Sequence, residues 1–217
     1  SARAHAGEQR IESNLYHAPD SEYSNPESDT SGLALYVVAP WKFNLLFWAT
    51  LGIYDVYWNF RNWQNQKDIR QKKVQPVARA LFSVFFFGSL VKTINGESEG
   101  KAKPLPVTTM ATLYILSYLI STVSDRAAAN METFGILDLI SLALLPVTWA
   151  VLFKAQKAIN LSQGDEHGLL NNRLTLANGI WILLGISLWA LILLGLASGY
   201  FPEQTDSFLS SLIETVS

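Results

Sequence analysis

The chain has 217 residues, 49% of them hydrophobic, a formal net charge of −2 and no cysteine; its mean hydropathy is +0.18. The missing cysteines exclude disulfides and thiolate metal sites. The apolar residues are gathered in blocks with the charges between them, and blocks without a wet face exclude an ordinary soluble helical domain.

In chain order, residues 1–41 carry two basic and six acidic side chains and are expected to form a disordered acidic tail. Residues 1–31 are rich in Ser, Glu, Asp, Asn and Pro and cannot bury enough apolar surface to offset their ordering entropy. Within them, residues 14–19 are a candidate docking element. No apolar core precedes residue 33, so no cleavable signal peptide is expected. Residues 33–38 form a β-prone run stopped by Pro40, expected to lie at the membrane interface or to pair with another segment.

The helical membrane domain is expected over 42–200. Its first block, 43–60, contains Asn44, Asp55 and Asn59, with Gly52 in the middle. Trp48, Tyr54, Tyr57, Trp58 and Trp63 crowd its second half, as where a helix leaves the bilayer. The second block, 77–94, has a charge-free centre of 12 residues between Arg79 and Lys92, a length that suits a re-entrant or buried segment better than a full span. Three blocks are longer. Residues 105–124 have no charge and reach roughly 30 Å as a helix, the thickness of the hydrocarbon layer. Residues 134–154 hold Asp138 near the start and Pro146 inside, tolerable where neighbours satisfy the freed carbonyl. Residues 174–200 are uncharged, and Gly179, Gly185, Gly195 and Gly199 would admit another helix closely. Beyond them, Phe208, Leu209, Leu212, Ile213 and Val216 fall at helical spacing, predicting a short amphipathic helix over 201–217. The expected fold is all-α: a polytopic helical membrane protein with three transmembrane helices plus two shorter membrane-embedded or re-entrant helices.

Basic residues favour the cytoplasmic side. Residues 61–79 carry six basic and one acidic side chain, and the segment after Tyr200 carries three acidic and no basic ones. The stretches 61–79 and 92–103 and the loop holding Lys154, Lys157 and Arg173 are therefore expected inside. The loop 125–133 and the C-terminus are expected outside, in the periplasm. Charge leaves open whether only the first short block crosses or neither does, and disfavours both crossing. The N-terminal tail is expected in the cytoplasm.

The stretch Tyr36-Val37-Val38-Ala39-Pro40-Trp41-Lys42-Phe43, followed by Thr50-Leu51-Gly52-Ile53-Tyr54 and Tyr57-Trp58-Asn59-Phe60-Arg61-Asn62-Trp63, resembles a bacterial family of uncharacterised multi-pass inner-membrane proteins. Such proteins commonly open with an Asn-x-Tyr-x-x-Pro element, and residues 14–19 look like a version of it. Arg79-Ala80-Leu81-Phe82, Gln156-Lys157-Ala158-Ile159-Asn160 and Asn172-Arg173-Leu174-Thr175 look similar as well. The resemblance implies the architecture and the bacterial inner membrane, and no activity. A faint internal echo joins Gln66-Lys67-Asp68-Ile69 to Gln156-Lys157-Ala158-Ile159, each after a tryptophan at the exit of a hydrophobic block.

The sequence offers no catalytic constellation. His5, His17 and His167 stand in no His-x-x-x-His or His-Glu-x-x-His pattern, and neither Gly-x-Ser-x-Gly nor a phosphate-cradling glycine loop occurs. No cofactor or metal is expected. Candidate intramembrane polar residues are Asp55, Asn59, Asp138 and Asn178. An acid at membrane depth is either functional or pinned by hydrogen bonds near the headgroups, and Asn178, near Thr175, is expected to bond across helices for packing. Arg61, Lys67, Arg70, Lys72, Lys73, Arg79, Lys154, Lys157 and Arg173 are candidate contacts for anionic lipid. Beside a hydrophobic block, lipid rather than nucleic acid is the expected partner of these cations. Lys154 and Lys157 are expected to share a face with Asn160. The functional expectation is a non-enzymatic inner-membrane protein that acts through protein or lipid contacts, as an accessory, assembly or regulatory subunit or a homo-oligomer. The alternatives are a small transporter or channel using Asp55 and Asp138, and a lipid-headgroup enzyme using Arg61, Arg79, Lys154 and Arg173 with Asp68, Asp165 or Glu166.

Overall fold

The computed structural model describes residues 32–131 and 137–216, without the side chains of Asp138, Leu212 and Val216. The expectations for residues 1–31 and for Phe134 lie outside the described residues. Among the described residues the helices are α1 (Pro40–Ala49), α2 (Tyr54–Asp68), α3 (Pro76–Leu81), α4 (Ser83–Glu97), α5 (Val107–Ala128), α6 (Leu137–Ser162), α7 (Leu176–Tyr200) and α8 (Pro202–Val216), with a 3₁₀ turn at Leu169–Asn171. No strand occurs among the described residues. Prolines open α1, α3 and α8, where the missing N–H has no helical partner to lose.

Three helices, α5, α6 and α7, are long and apolar enough to cross a membrane. With 22, 26 and 25 residues they reach about 33–39 Å at 1.5 Å per residue. Pro146 sits inside α6 without ending it.

The two shorter blocks are each broken. Block 43–60 divides into α1 and α2 at a tight turn in which Leu51 and Gly52 both take positive φ, 54° and 82°. Thr50 closes one helix and opens the next: its hydroxyl donates to the Leu46 carbonyl at 2.7 Å and accepts from the Tyr54 N–H at 3.0 Å. The turn is held against the long helices. A Cβ on Gly52 would lie 3.1 Å from Leu145 of α6, and one on Gly185 of α7 would lie 2.0 Å from the Ala49 carbonyl oxygen. Block 77–94 divides at Phe82 into α3 and α4. Neither α1, with 10 residues, nor α2 and α4, with 15 each, reaches 30 Å.

Composition groups residues 33–39 with the tail, yet 34–39 are among the most deeply buried in the molecule. They pass between α2 and α6, bent at Ala34 and Leu35 and outside any helix or strand from Tyr36 to Ala39, and side-chain amides take the place of a neighbouring strand. From α2, Asn62 accepts from the Tyr36 N–H at 3.0 Å and Gln66 donates to the Ala34 carbonyl at 2.8 Å. Gln163, just past the end of α6, accepts from the Ala34 N–H at 2.9 Å, and Gln156 of α6 donates to the Tyr36 carbonyl at 3.2 Å. Asn160 accepts from the Val38 N–H at 3.3 Å and donates to its carbonyl at 2.9 Å. Asn171 donates to the Val37 carbonyl at 2.9 Å. Asn62 and Gln66 stand four apart on α2, and Gln156 and Asn160 four apart on α6, so each pair shares a helix face and reaches backbone groups of the segment from its own side. Behind the segment, Gly168 has φ 65°, and a Cβ there would lie 2.4 Å from the Ala39 nitrogen. No larger residue could let this loop close on the segment.

Around this segment lies the core. Phe43 packs on Phe47, Tyr54, Trp58 and Phe153, and Leu90, Ile94, Leu152 and Ile159 are fully buried beside it. The Trp149 indole donates to Asn44 at 2.9 Å and the Trp189 indole to the Trp48 carbonyl at 2.8 Å, fastening α1 to α6 and α7. This core runs from the middle of α6 and α7, at Trp149 and Trp189, to one end of the bundle, where the C-termini of α2, α4 and α6 meet the loop before α7. Arg70 pairs with Glu97, with Nε 2.8 Å from Oε1, and Lys101 donates to the Ser162 carbonyl at 2.6 Å. This end carries Lys67, Lys72, Lys73 and Arg173, all exposed; it is called the basic end below.

Replacing Asn160 by leucine orphans the N–H and carbonyl of Val38. Each unpaired buried group costs about 1–3 kcal/mol, so a destabilisation of roughly 2–6 kcal/mol is expected. Thermal unfolding in detergent should show a large drop in Tm for Asn160→Leu and almost none for the exposed Lys154→Ala; equal Tm values would contradict the bracketing role of Asn160.

Candidate functional site

Asp55 lies in the first turn of α2. Its carboxylate accepts from the Asn59 amide at 2.7 Å and from the Tyr114 hydroxyl of α5, and the Tyr114 oxygen lies 2.8 Å from Ser83 Oγ at the start of α4. The Asn59 amide also donates to the Asp55 carbonyl at 3.1 Å. The carboxylate thus ties α2 to α5, the Tyr114 hydroxyl carries the tie on to α4, and Phe87 stacks on the Tyr114 ring with centroids 4.2 Å apart. Asp55 and Asn59, singled out as intramembrane polar residues, do come together. They form a set in which the acid's side-chain partners are neutral, Asn59 and Tyr114, while Asn59 Oδ1 is buried with no hydrogen-bond partner among the described residues.

Beside this set, α1, α2, α3 and α7 enclose a groove of about 570 Å³. Its wall is mostly apolar, from Leu46 and Ile53 through Tyr57 and Phe60 to Leu81 and Trp181, and Asp55 does not line it. Lys42, Asn171, Thr175 and Asn178 line its end nearest the basic end of the bundle. Lys42 is buried at 2% exposure. Its ammonium donates to Asn171 Oδ1 at 2.6 Å and to the Arg173 carbonyl at 2.7 Å. A donor held this way in a buried site is preorganised.

Among the described residues Asn178 makes no bond across helices. It forms a reciprocal cap with Thr175 at the start of α7: the Thr175 hydroxyl accepts from the Asn178 N–H at 3.3 Å, and the Asn178 side chain accepts from the Thr175 N–H at 3.1 Å. Asp138 stands in the first turn of α6, and its side chain lies outside the described residues.

The nine candidate cations divide into two groups. Arg61 lies 5.1 Å over the Tyr36 ring, Arg79 lies 4.2 Å over Trp63 and Arg70 pairs with Glu97, so these three brace the fold. The Arg70 guanidinium holds the Glu97 carboxyl below the usual range. Lys67, Lys72, Lys73, Lys154, Lys157 and Arg173 are exposed. Asn160 does not share the face of Lys154 and Lys157; it is fully buried and turned to residue 38. Of the carboxylates suggested for headgroup chemistry, Asp165 accepts from the N–H groups of Leu169 and Leu170, both at 2.9 Å, and Asp68 accepts from Gln64 at 2.7 Å. No group of three His, Cys, Asp or Glu able to hold a metal occurs among the described residues.

Two features escape sequence reasoning: Lys42, and the amides Asn62, Gln66, Asn160, Gln163 and Asn171. A signal for the amides exists in the internal echo. Gln66 and Gln156, the repeated glutamines, both donate to carbonyls of the buried segment. For Lys42 the sequence gives only a lysine in an otherwise uncharged run, which reads equally as a headgroup contact. No family model, curated protein or solved structure matches the chain.

Asp55→Asn retains an acceptor for Tyr114 and should leave Tm close to that of the parent, whereas Asp55→Leu removes the acceptor shared by Tyr114 and Asn59, leaves the Tyr114 hydroxyl with Ser83 alone, and should cost about 1–3 kcal/mol. Unfolding of the two variants in detergent distinguishes them; equal losses would contradict a tie based on hydrogen bonding.

Proposed function

We propose that the chain is an integral protein of the bacterial inner membrane that works through contacts with other helices and with lipid, as an accessory, assembly or regulatory subunit, and performs no catalysis. The observation that carries this reading is α7. It has 25 residues, none charged, and Gly185 alone is buried within it. It packs on α1 and α8 and leaves Leu183, Leu191 and Leu193 more than half exposed. In water such a helix would be a large apolar patch; in a bilayer it is a surface for lipid and for another helix. At Gly195 a Cβ would meet nothing within 4 Å, so this glycine is an open notch in that surface, of the kind that lets membrane helices approach closely.

The positive-inside rule puts the basic end in the cytoplasm. The chain then leaves through α5, returns through α6 and leaves again through α7, with α8 on the periplasmic side. The α1–α2 turn meets α7 at Gly185, nine residues or about 14 Å along that helix, which supports a re-entrant hairpin that dips from the cytoplasmic face. Buried against α6 and α7, the broken backbone there is of the kind membranes tolerate. A transport role for Asp55 finds less support, because its carboxylate is held by Tyr114 and Asn59 and lies off the groove.

The chain contains no cysteine, so single cysteines can be placed along α7. In native membranes, oxidation of cysteines scanned from 180 to 197 should cross-link one helical face, every third or fourth position, to a second copy or to a partner. Uniform absence of cross-links, together with a monomer under gentle extraction, would contradict the reading.

A further inference from the structure

We propose that α3 and α4 form a second re-entrant hairpin, and that acyl chains of the leaflet at the basic end cover its exposed tip at Leu81, Phe82 and Phe85. The proposal rests on the membrane reading of the long helices and names what covers a face that the protein itself leaves bare.

The depth of the tip can be measured along α5. This helix starts at the basic end, six residues past the Lys101 that donates to Ser162. Tyr114 stands seven residues past Val107, about 11 Å along the helix. Beside α5, α4 runs in the opposite sense. Asn95 bonds the Leu105 N–H at 2.8 Å and its carbonyl at 3.0 Å, a Cβ on Gly88 would lie 3.3 Å from the Ala111 Cβ, and Phe87 stacks on Tyr114. Ser83 Oγ, 2.8 Å from the Tyr114 hydroxyl, then sets the start of α4 close to the level of that tyrosine. The same hydroxyl reaches Asp55, so the starts of α2 and α4 share one level. Measured along α7, the α1–α2 turn is about 14 Å deep. Rulers on two different helices thus agree, and both depths fall short of half of a hydrocarbon layer roughly 30 Å thick. Both hairpins end inside one leaflet.

At that depth the surface of α3 and α4 is apolar. Phe85 is 79% exposed, Leu81 66% and Phe82 56%, around the break between the two helices. No charge stands between Arg79 and Lys92, and the Arg79 guanidinium is occupied by the rings of Trp63 and Phe86, 4.2 and 5.0 Å from their centroids. Farther along α4 the exposed residues turn polar, first Ser89 and then Lys92, on the way to the Arg70–Glu97 pair at the basic end. Apolar at the deep end and charged at the shallow end is the order of a leaflet from its chains to its headgroups.

Lipid fits this tip better than a helix of another chain. Membrane helices meet through small residues that let their backbones approach, and the tip presents a leucine and two phenylalanines. Acyl chains pack around projecting rings without needing such an approach.

The chain has no cysteine, so a bimane fluorophore can be attached at Phe85→Cys and, as a second tip position, Phe82→Cys. Leu116→Cys, half exposed on α5, is the reference for a lipid-facing site, and Lys73→Cys for the basic end. In vesicles of phosphatidylcholine brominated at the middle of the acyl chain, both tip labels should be quenched as strongly as the label at residue 116. That quenching should be severalfold stronger than quenching by aqueous iodide, and stronger than by bromines next to the headgroup; residue 73 should show the reverse. Iodide quenching of the tip equal to that at residue 73, or stronger quenching by the shallow bromines, would overturn the proposal. Quenching of the tip by neither agent would overturn it too, and oxidative cross-linking of the tip cysteines to a second copy or another chain would then identify protein as the cover. Failure of the membrane reading shows at residue 116 instead, where iodide would quench and brominated lipid would not.

Discussion

A peptide group in a place without water must find its partner inside the protein, and along residues 34–39 most of those partners are side-chain amides. The N–H and carbonyl of Ala34, Tyr36 and Val38 are all met by Asn or Gln from α2, from α6 and from Gln163 just past the end of α6. The segment therefore fixes the distance and rotation of α2 relative to α6. A shift of either helix by one residue would carry its amides off the backbone groups they serve. The arrangement has the economy of a β-ladder with a helix face on each side, and it explains why amides rather than aliphatics occupy fully buried positions on both helices.

From this constraint the lopsided shape follows. The buried segment, the α1–α2 hairpin and α3–α4 all crowd the basic end, where Trp58, Trp63, Phe87 and Leu152 are buried. Toward the other end, the exposed Leu119 and Val123 of α5 and Leu191 and Leu194 of α7 dominate. One half of the molecule is thus a packed protein core built into the top of the bundle, and the other half is a set of helices with apolar sides turned outward. A groove of ligand size lies in the first half, and an exposed apolar helix surface in the second.

Much of the fold is legible in the sequence. The long uncharged blocks mark α5, α6 and α7, because twenty or more apolar residues in a row have few other structures open to them. The breaks inside the shorter blocks are less visible. Gly52 marks one, but Leu51 beside it also takes positive φ, and nothing in a leucine announces that. Sequence pattern puts 33–39 with the tail because it is the pattern of a strand, and its partners on α6 lie more than 115 residues away. Such pairing leaves no local period. Among the site residues, Asp55 and Asn59 sit four apart on one helix and can be joined by eye, whereas Tyr114 and Ser83 reach them only through the tertiary fold. Asn178 reads as an interhelical donor because a capping box uses the same residues, Thr and Asn three apart, and only the helix boundary tells the two apart.

The most direct test of the central constraint is amide hydrogen exchange of the solubilised chain at Tyr36 and Val38. Neither residue belongs to a helix or a strand, so protection there can come only from burial and from the side chains of Asn62 and Asn160. The account predicts exchange as slow as that of the interior of α6, around Leu152. Exchange at the rate of an unprotected peptide would contradict it, and would remove the amide-bracketed segment as the element around which the bundle is built.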